Sequence, residues 1–161
     1  MSASDDTSLS LPALPCLELR THPQRGRGVF TTSFIARGTL VHISPVLVFG
    51  AQEYREYGRH TQLDHYTYCW SNGGYALALG LGSMFNHEPL GCENVGFTRD
   101  MVNSLIRYTT LRDIEPGEEL CICYGPNVWF DQVSGMPGSV ATQSVDASED
   151  ADGFLQAFDL S

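Results

Sequence analysis

Short alternating runs, not long helical periods, carry the apolar residues of this chain. Leu17–Arg20, Val29–Thr31 and Leu40–Phe49 are apolar runs punctuated by Gly26, Gly28 and Gly38, the pattern of strands separated by turns. Pro45 cannot donate to a ladder, so it predicts a bend or a sheet edge within the third run. AQEYREYGRHTQLDH is the best helical candidate. It starts near Ala51, sets Tyr54 and Tyr57 on one face and is weakened in its middle by Gly58. YTYCW and YALALG predict two more strands around an Asn72-Gly73-Gly74 turn, and the passage from Gly80 to Phe97 reads as loop. NSLIRYTTLRDI returns to strand character, Pro116-Gly117 marks a turn, and EELCICYG ends the pattern as a short strand. The expected architecture is mostly β.

The two ends differ from this middle. Residues 1–13 are small, polar and acidic, which predicts a flexible arm, with folding beginning near Leu14. From Asp131 onward the last 31 residues hold six acids and no base. This acidic extension, 131–161, closes with Phe154, Leu155 and Phe158 at i, i+1 and i+4. That spacing predicts one amphipathic helix, capped by Ser148 or Asp150, that docks on the body. With 161 residues and 17.7 kDa, the remaining stretch, 14–130, is one domain.

Charge narrows the function. Nine basic against nineteen acidic residues give −10, which disfavours gripping a polyphosphate backbone and points to a basic partner rather than nucleic acid. No apolar run is long enough to span a membrane, and MSASDDTSLS lacks the basic start of a secretory signal, so the expectation is a soluble intracellular protein. All nine basic residues are arginine; lysine is absent. The five cysteines, Cys16, Cys69, Cys92, Cys121 and Cys123, form no regular framework and read as reduced thiols. Cys121 and Cys123 are close in sequence but belong to no regular framework of further ligands, so no metal site is expected.

Individual motifs leave alternatives open. RGRG at Arg25–Gly28 is either a tight hairpin connection or a turn that brings backbone close to a ligand. GLGS at Gly80–Ser83 has no following lysine and is not a phosphate cradle. Asn86-His87 is either buried and locally bonded or aimed at a ligand, and Tyr124 is either a core tyrosine or a reactive one. Tyr66, Tyr68, Trp70 and Tyr75 fit β-core packing and an aromatic cage for a cation equally well.

The order of the elements decides between these readings. GRGVF, then IARG at Ile35–Gly38, then GSMFNH at Gly82–His87, then RDIEPGEEL…YG from Arg112 to Gly125 resembles the SET-domain lysine methyltransferases over roughly Leu17 to Phe130. The resemblance implies small β-sheets around a pseudo-knot with few short helices, in which the Asn-His segment passes beside the closing Glu-Leu…Tyr segment. It implies S-adenosylmethionine as cofactor, leaving as S-adenosylhomocysteine. Arg27 and Gly28 would line its pocket, Asn86 and His87 would hold its adenosyl and amino-acid parts, and Tyr124 would be the catalytic tyrosine. Tyr66 and Tyr68 would contribute to the lysine channel, as would Trp129 and Phe130.

Three departures stand out, the first being Cys123 in place of the family's usual acidic residue just before the catalytic tyrosine. The loop after Asn86-His87 is longer than the family's usual one, displacing Asn94, and the cysteine-rich zinc-binding tail of many relatives is missing. A basic histone is the expected substrate, with Glu88, Glu93, Glu115 and Glu118 as candidate attracting charges. Another basic protein, or a silent lysine-peptide binder, is the alternative. Small stand-alone members of the family suggest a homodimer, and the substrate suggests the nucleus. Without lysine, a lysine methyltransferase of this sequence would have no lysine side chain of its own to methylate.

Overall fold

The computed structural model describes residues 14–125. The arm over 1–13, the acidic extension with its helix, and the channel roles of Trp129 and Phe130 lie outside the described residues. Within them, the alternating runs form strands as expected. β1 (Leu17–His22) and β2 (Gly26–Thr31) make an antiparallel hairpin, paired from Leu17↔Thr31 to His22↔Gly26. Gly26 has φ +76°, a left-handed conformation that only a residue without Cβ adopts at low cost.

β9 (Glu119–Ile122) adds to β2 through Val29↔Leu120 and Phe30↔Glu119. On its other side β9 carries β6 (Asn86–His87), paired in parallel as Asn86↔Cys121 and His87↔Ile122. The Asn-His segment thus runs beside the closing strand. The second sheet has the order β4 (Thr67–Cys69), β5 (Tyr75–Ala78), β3 (Leu40–Phe49), β8 (Leu105–Thr110), β7 (Val95–Asp100), with every pairing antiparallel. Asn72 (φ 54°) and Gly73 (φ 69°) turn the chain between β4 and β5, as their types predict.

Three expectations are corrected. Pro45, expected at a bend or a sheet edge, lies inside β3, the middle strand of its sheet. β3 pairs β8 up to Pro45 and β5 from Val46 onward, so the residue lacking an N–H occupies the point where the strand changes partners. The helix α1 (Ala51–Glu56) is only six residues long and gives way to 3-10 turns at Gly58–His60 and Gln62–His65. Tyr54 and Tyr57 therefore do not share a face. Tyr54 is buried, stacked 3.9 Å from the Tyr75 ring with its hydroxyl on Asp64 (2.9 Å) and Thr67 (2.6 Å), whereas Tyr57 is the helix's C-cap and is exposed. Gly58 is needed there, because a Cβ would lie 2.5 Å from the Tyr54 ring. Finally, β7 begins inside the passage read as loop, its strand signal broken by Gly96.

The core lies where the sheets meet. Val29, Leu120 and Ile122 of the first sheet pack with Val41, Ala76, Ile106 and Tyr108 of the second, and Phe85 fills the gap ahead of β6. The IARG and DIEPG turns are stitched together, with Ile35 and Ile114 exchanging both backbone hydrogen bonds at 2.9 Å. Both isoleucines are buried.

Candidate active site

The site grows from the parallel contact of β6 with β9. Because Asn86 pairs with Cys121 and His87 with Ile122, the residues after β9 return past the imidazole. The Tyr124 N–H donates to His87 Nδ1 at 3.0 Å, and the two rings sit 5.3 Å apart. Burial holds the His87 imidazole below its ordinary pKa, so it is neutral at pH 7 and can accept that bond. The Tyr124 hydroxyl donates to Phe85 O at 2.6 Å. Burial foremost, with Cys121, Tyr66 and Glu119 adding to it, pushes this phenol up to about 12, so it keeps its proton.

Beside this tyrosine opens a cavity of about 370 Å³, a size typical of small-molecule sites. Arg27, Tyr66, Asn86 and Tyr124 line it, so four of the expected site residues meet at one place. Gly28 and His87 are not among the residues that line it; Gly28 lies against Asn86 and Glu119. A Cβ on Gly28 would collide with Glu119 Oε1 and lie 2.8 Å from Asn86 Nδ2, so only glycine lets β2 approach this closely. The Asn86 amide donates to Glu119 Oε1 at 2.6 Å and to Arg27 O at 3.2 Å. Its orientation is thereby set by β2 and β9 together.

The aromatic stripe divides instead of forming one cage. Trp70 enters the core, Tyr75 stacks on Tyr54, and only Tyr66 lines the cavity, 42% exposed. Tyr68 stands behind the cavity, its hydroxyl donating to Gly82 O at 2.8 Å and receiving a bond from Tyr108 at 3.1 Å. Burial raises both phenols well above their usual range. Tyr68, Tyr108 and Tyr124 thus all direct hydroxyls at backbone carbonyls of residues 82–85.

The long loop after His87 serves the strand. The side chain of Asn94 is buried, accepts from Cys121 N at 2.7 Å and donates to Glu119 O at 2.7 Å and Glu118 Oε1 at 3.2 Å. Of the four candidate acids, two are already paired: Glu88 with Arg25 at 2.6 Å, and Glu118 with Arg112. The arginine holds the Glu118 carboxyl below its usual range. Sequence reasoning missed Arg25, Tyr108 and Glu119. For Tyr108 the inward alternation of Leu105–Thr110 was an available signal; for the other two only contacts across 33–96 residues reveal a role.

Residues 26–125 match the SET domain family. Over 115 residues, 71% of this chain and 77% of the relative, the sequence is 50% identical to a Schizosaccharomyces pombe histone-lysine N-methyltransferase described as H3 lysine-37 specific. Among solved structures, a Plasmodium falciparum protein described as a histone methyltransferase aligns with a TM-score of 0.54 at 23% identity, over 71% of this chain and 96% of that one. SET8 from Cryptosporidium aligns with a TM-score of 0.56 at 22% identity, over 70% and 59%. These two establish likeness of fold.

Proposed function

We propose, from the fact that the chain belongs to the SET-domain family, that it is an S-adenosylmethionine-dependent protein-lysine methyltransferase acting on a histone. The observation that carries this reading is the Tyr124 hydroxyl, kept protonated on Phe85 O beside a cavity that Arg27 and Asn86 also line. The residues fit the cofactor. Arg27 and Asn86 line the cavity and Gly28 leaves room for the Asn86 amide; Arg27 and Gly28 would line the cofactor's pocket, and Asn86 and His87 would hold its adenosyl and amino-acid parts. When bound, S-adenosylmethionine supplies an electrophilic methyl group on a positively charged sulfur, which an amine displaces in line.

The protein's own share is positioning and desolvation. Tyr124, anchored at both its N–H and its hydroxyl, fixes the far end of the channel. Tyr66, which lines the cavity, would contribute to the lysine channel. A lysine amine has an ordinary pKa of about 10.4, and transfer into aromatic surroundings favours the neutral form that can attack. Because the three phenols behind and beside the channel remain protonated, they add no negative charge that would stabilise the ammonium.

The net charge of −10 supports a basic substrate, and the relative's stated specificity makes the histone H3 tail around lysine 37 the first target to assay. Nuclear location and a homodimer complete the reading. The test is incubation of the full chain with labelled S-adenosylmethionine and a panel of histones and other basic proteins, read by mass spectrometry. Lysine methylation on histone H3 is expected. Methylation confined to non-histone proteins would overturn the substrate, and peptide binding without cofactor consumption would overturn the activity. Light scattering tests the dimer, which a monomer at assay concentration would refute.

A further inference from the structure

Most ion pairs among the described residues are local: Arg112 meets Glu118 and Arg107 meets Asp100, six and seven positions away. Arg25 is different. From the turn between β1 and β2, its Nη1 donates to His87 O on β6 at 3.1 Å and to Cys121 Sγ on β9 at 3.6 Å. Its Nη2 donates to Glu88 Oε1 at 2.6 Å and lies 3.8 Å from Glu119 Oε2. Glu119, its side chain only 10% exposed, uses its other oxygen to accept from Asn86 at 2.6 Å. The contacts run without a gap from Arg25 through Glu119 to the amide that lines the cavity.

Two physical facts give this arrangement a purpose. The β6–β9 pairing spans only two residues a side, with one more bond from Glu88 N to Ile122 O at 2.9 Å, and so short a parallel ladder has little stability of its own. The planar guanidinium fork can meet several acceptors at once, which a lysine ammonium on its flexible stem does less well. Arg25 also lines the cavity, but both of its terminal nitrogens are already engaged by protein acceptors and two carboxylates balance its one charge. It is therefore not a spare cation awaiting a ligand carboxylate.

We infer that Arg25 is a positioning residue that clamps β6 against β9 and so holds the Asn86 amide at the cofactor wall. Its effect on the cofactor rests on the methyltransferase reading; the clamp itself does not. Without the guanidinium, Glu88 and Glu119 lose their shared counter-charge. The two carboxylates then repel one another, and Asn86 loses its fixed acceptor.

The experiment pairs a local structural readout with cofactor binding, in the full chain carrying Arg25→Met, Arg25→Lys, or Arg25→Met with Glu119→Gln. Arg25→Met is expected to speed hydrogen exchange of the Glu88 amide roughly tenfold or more while β8 amides keep their protection. S-adenosylhomocysteine should bind about tenfold more weakly by calorimetry, the size of one lost charge-assisted hydrogen bond. KM for S-adenosylmethionine should rise to match, with kcat at saturation within about threefold of wild type. Arg25→Lys should fall between, and Glu119→Gln should restore part of the loss, since its amide oxygen still accepts from Asn86. Unchanged Glu88 exchange in Arg25→Met, or equal acceleration at Glu88 and in β8, overturns the clamp. So does a fall in kcat with KM unmoved. Should Arg25→Met fail to fold, Arg25→Lys carries the same comparison. Wild-type protein that does not bind S-adenosylhomocysteine would instead overturn the methyltransferase reading, with Glu88 exchange still deciding the clamp.

Discussion

Gly26 and Gly28, two positions apart, are glycines for different reasons, and replacing each by alanine separates those reasons. At Gly26 a Cβ would meet nothing within 4 Å, but φ is +76°. Gly26 lines the cavity, but alanine there displaces no protein atom and costs the left-handed backbone, roughly 1–2 kcal/mol. At Gly28 the backbone is ordinary and the space is missing. The added carbon would strike Glu119 Oε1 and crowd Asn86 Nδ2. Both atoms end flexible side chains, so the chain should still fold, but the 2.6 Å bond between them must open. Loss of a hydrogen bond to a charged group is worth about 1.5–3 kcal/mol, and each 1.4 kcal/mol that falls on the bound state is a tenfold loss of affinity. Gly28→Ala is therefore expected to weaken S-adenosylhomocysteine binding by about ten- to hundredfold, measured calorimetrically. Gly26→Ala should lower the urea midpoint and leave affinity within a factor of about two. Adding Glu119→Ala to Gly28→Ala should cost less than the sum of the two changes, because both break the same Asn86–Glu119 bond and the nearer obstruction is removed. Wild-type affinity in Gly28→Ala, or strict additivity in the double variant, would refute the reasoning.

Tyr124→Phe removes the donor to Phe85 O and should lower turnover about a hundredfold or more in a radiolabelled methyl-transfer assay while cofactor binding stays measurable; equal turnover would remove the tyrosine's role. Asn94→Ala strands the buried Cys121 N–H and Glu119 carbonyl, and a destabilisation of roughly 2–5 kcal/mol is expected by chemical denaturation, with a loss under about 1 kcal/mol counting against it. His42 and His87 are both held below the ordinary value of 6.5 by burial, so below that pH the unfolded chain binds more protons than the folded one. Stability is then fully present above pH 6.5 and declines as pH falls through the lowered values; a urea midpoint flat from pH 7.5 to 5 would contradict this. Both ring nitrogens of His42 are buried without a hydrogen-bond partner, so His42→Leu should leave stability at pH 7.5 nearly unchanged or improved and flatten that profile.

Local chemistry was legible wherever one residue's type constrains its own backbone or its alternation. β1, β2, β3, β5, β8 and β9 follow from apolar runs, and the turns from Gly26, Asn72-Gly73 and Pro116-Gly117. The ordered GRGVF, IARG, NH and EEL…YG segments named the family and brought Arg27, Gly28, Asn86, His87 and Tyr124 forward as one group. What those residues touch required the fold. β6 is two residues long and has no period to read, yet its parallel contact with β9 puts His87 under the Tyr124 N–H. Glu119 looks like any turn-side acid until β2 comes close enough to exclude a Cβ, and Arg25 looks like a hairpin arginine until His87, Glu88, Glu119 and Cys121 surround it. The stripe at Tyr66, Tyr68, Trp70 and Tyr75 shows the same boundary. Its composition is aromatic in any fold, but packing alone decides which ring meets the cavity, which supports a carbonyl and which disappears into the core. Periodicity is a property of neighbours along the chain, whereas a site made by crossing segments depends on distances between residues that the chain order does not relate.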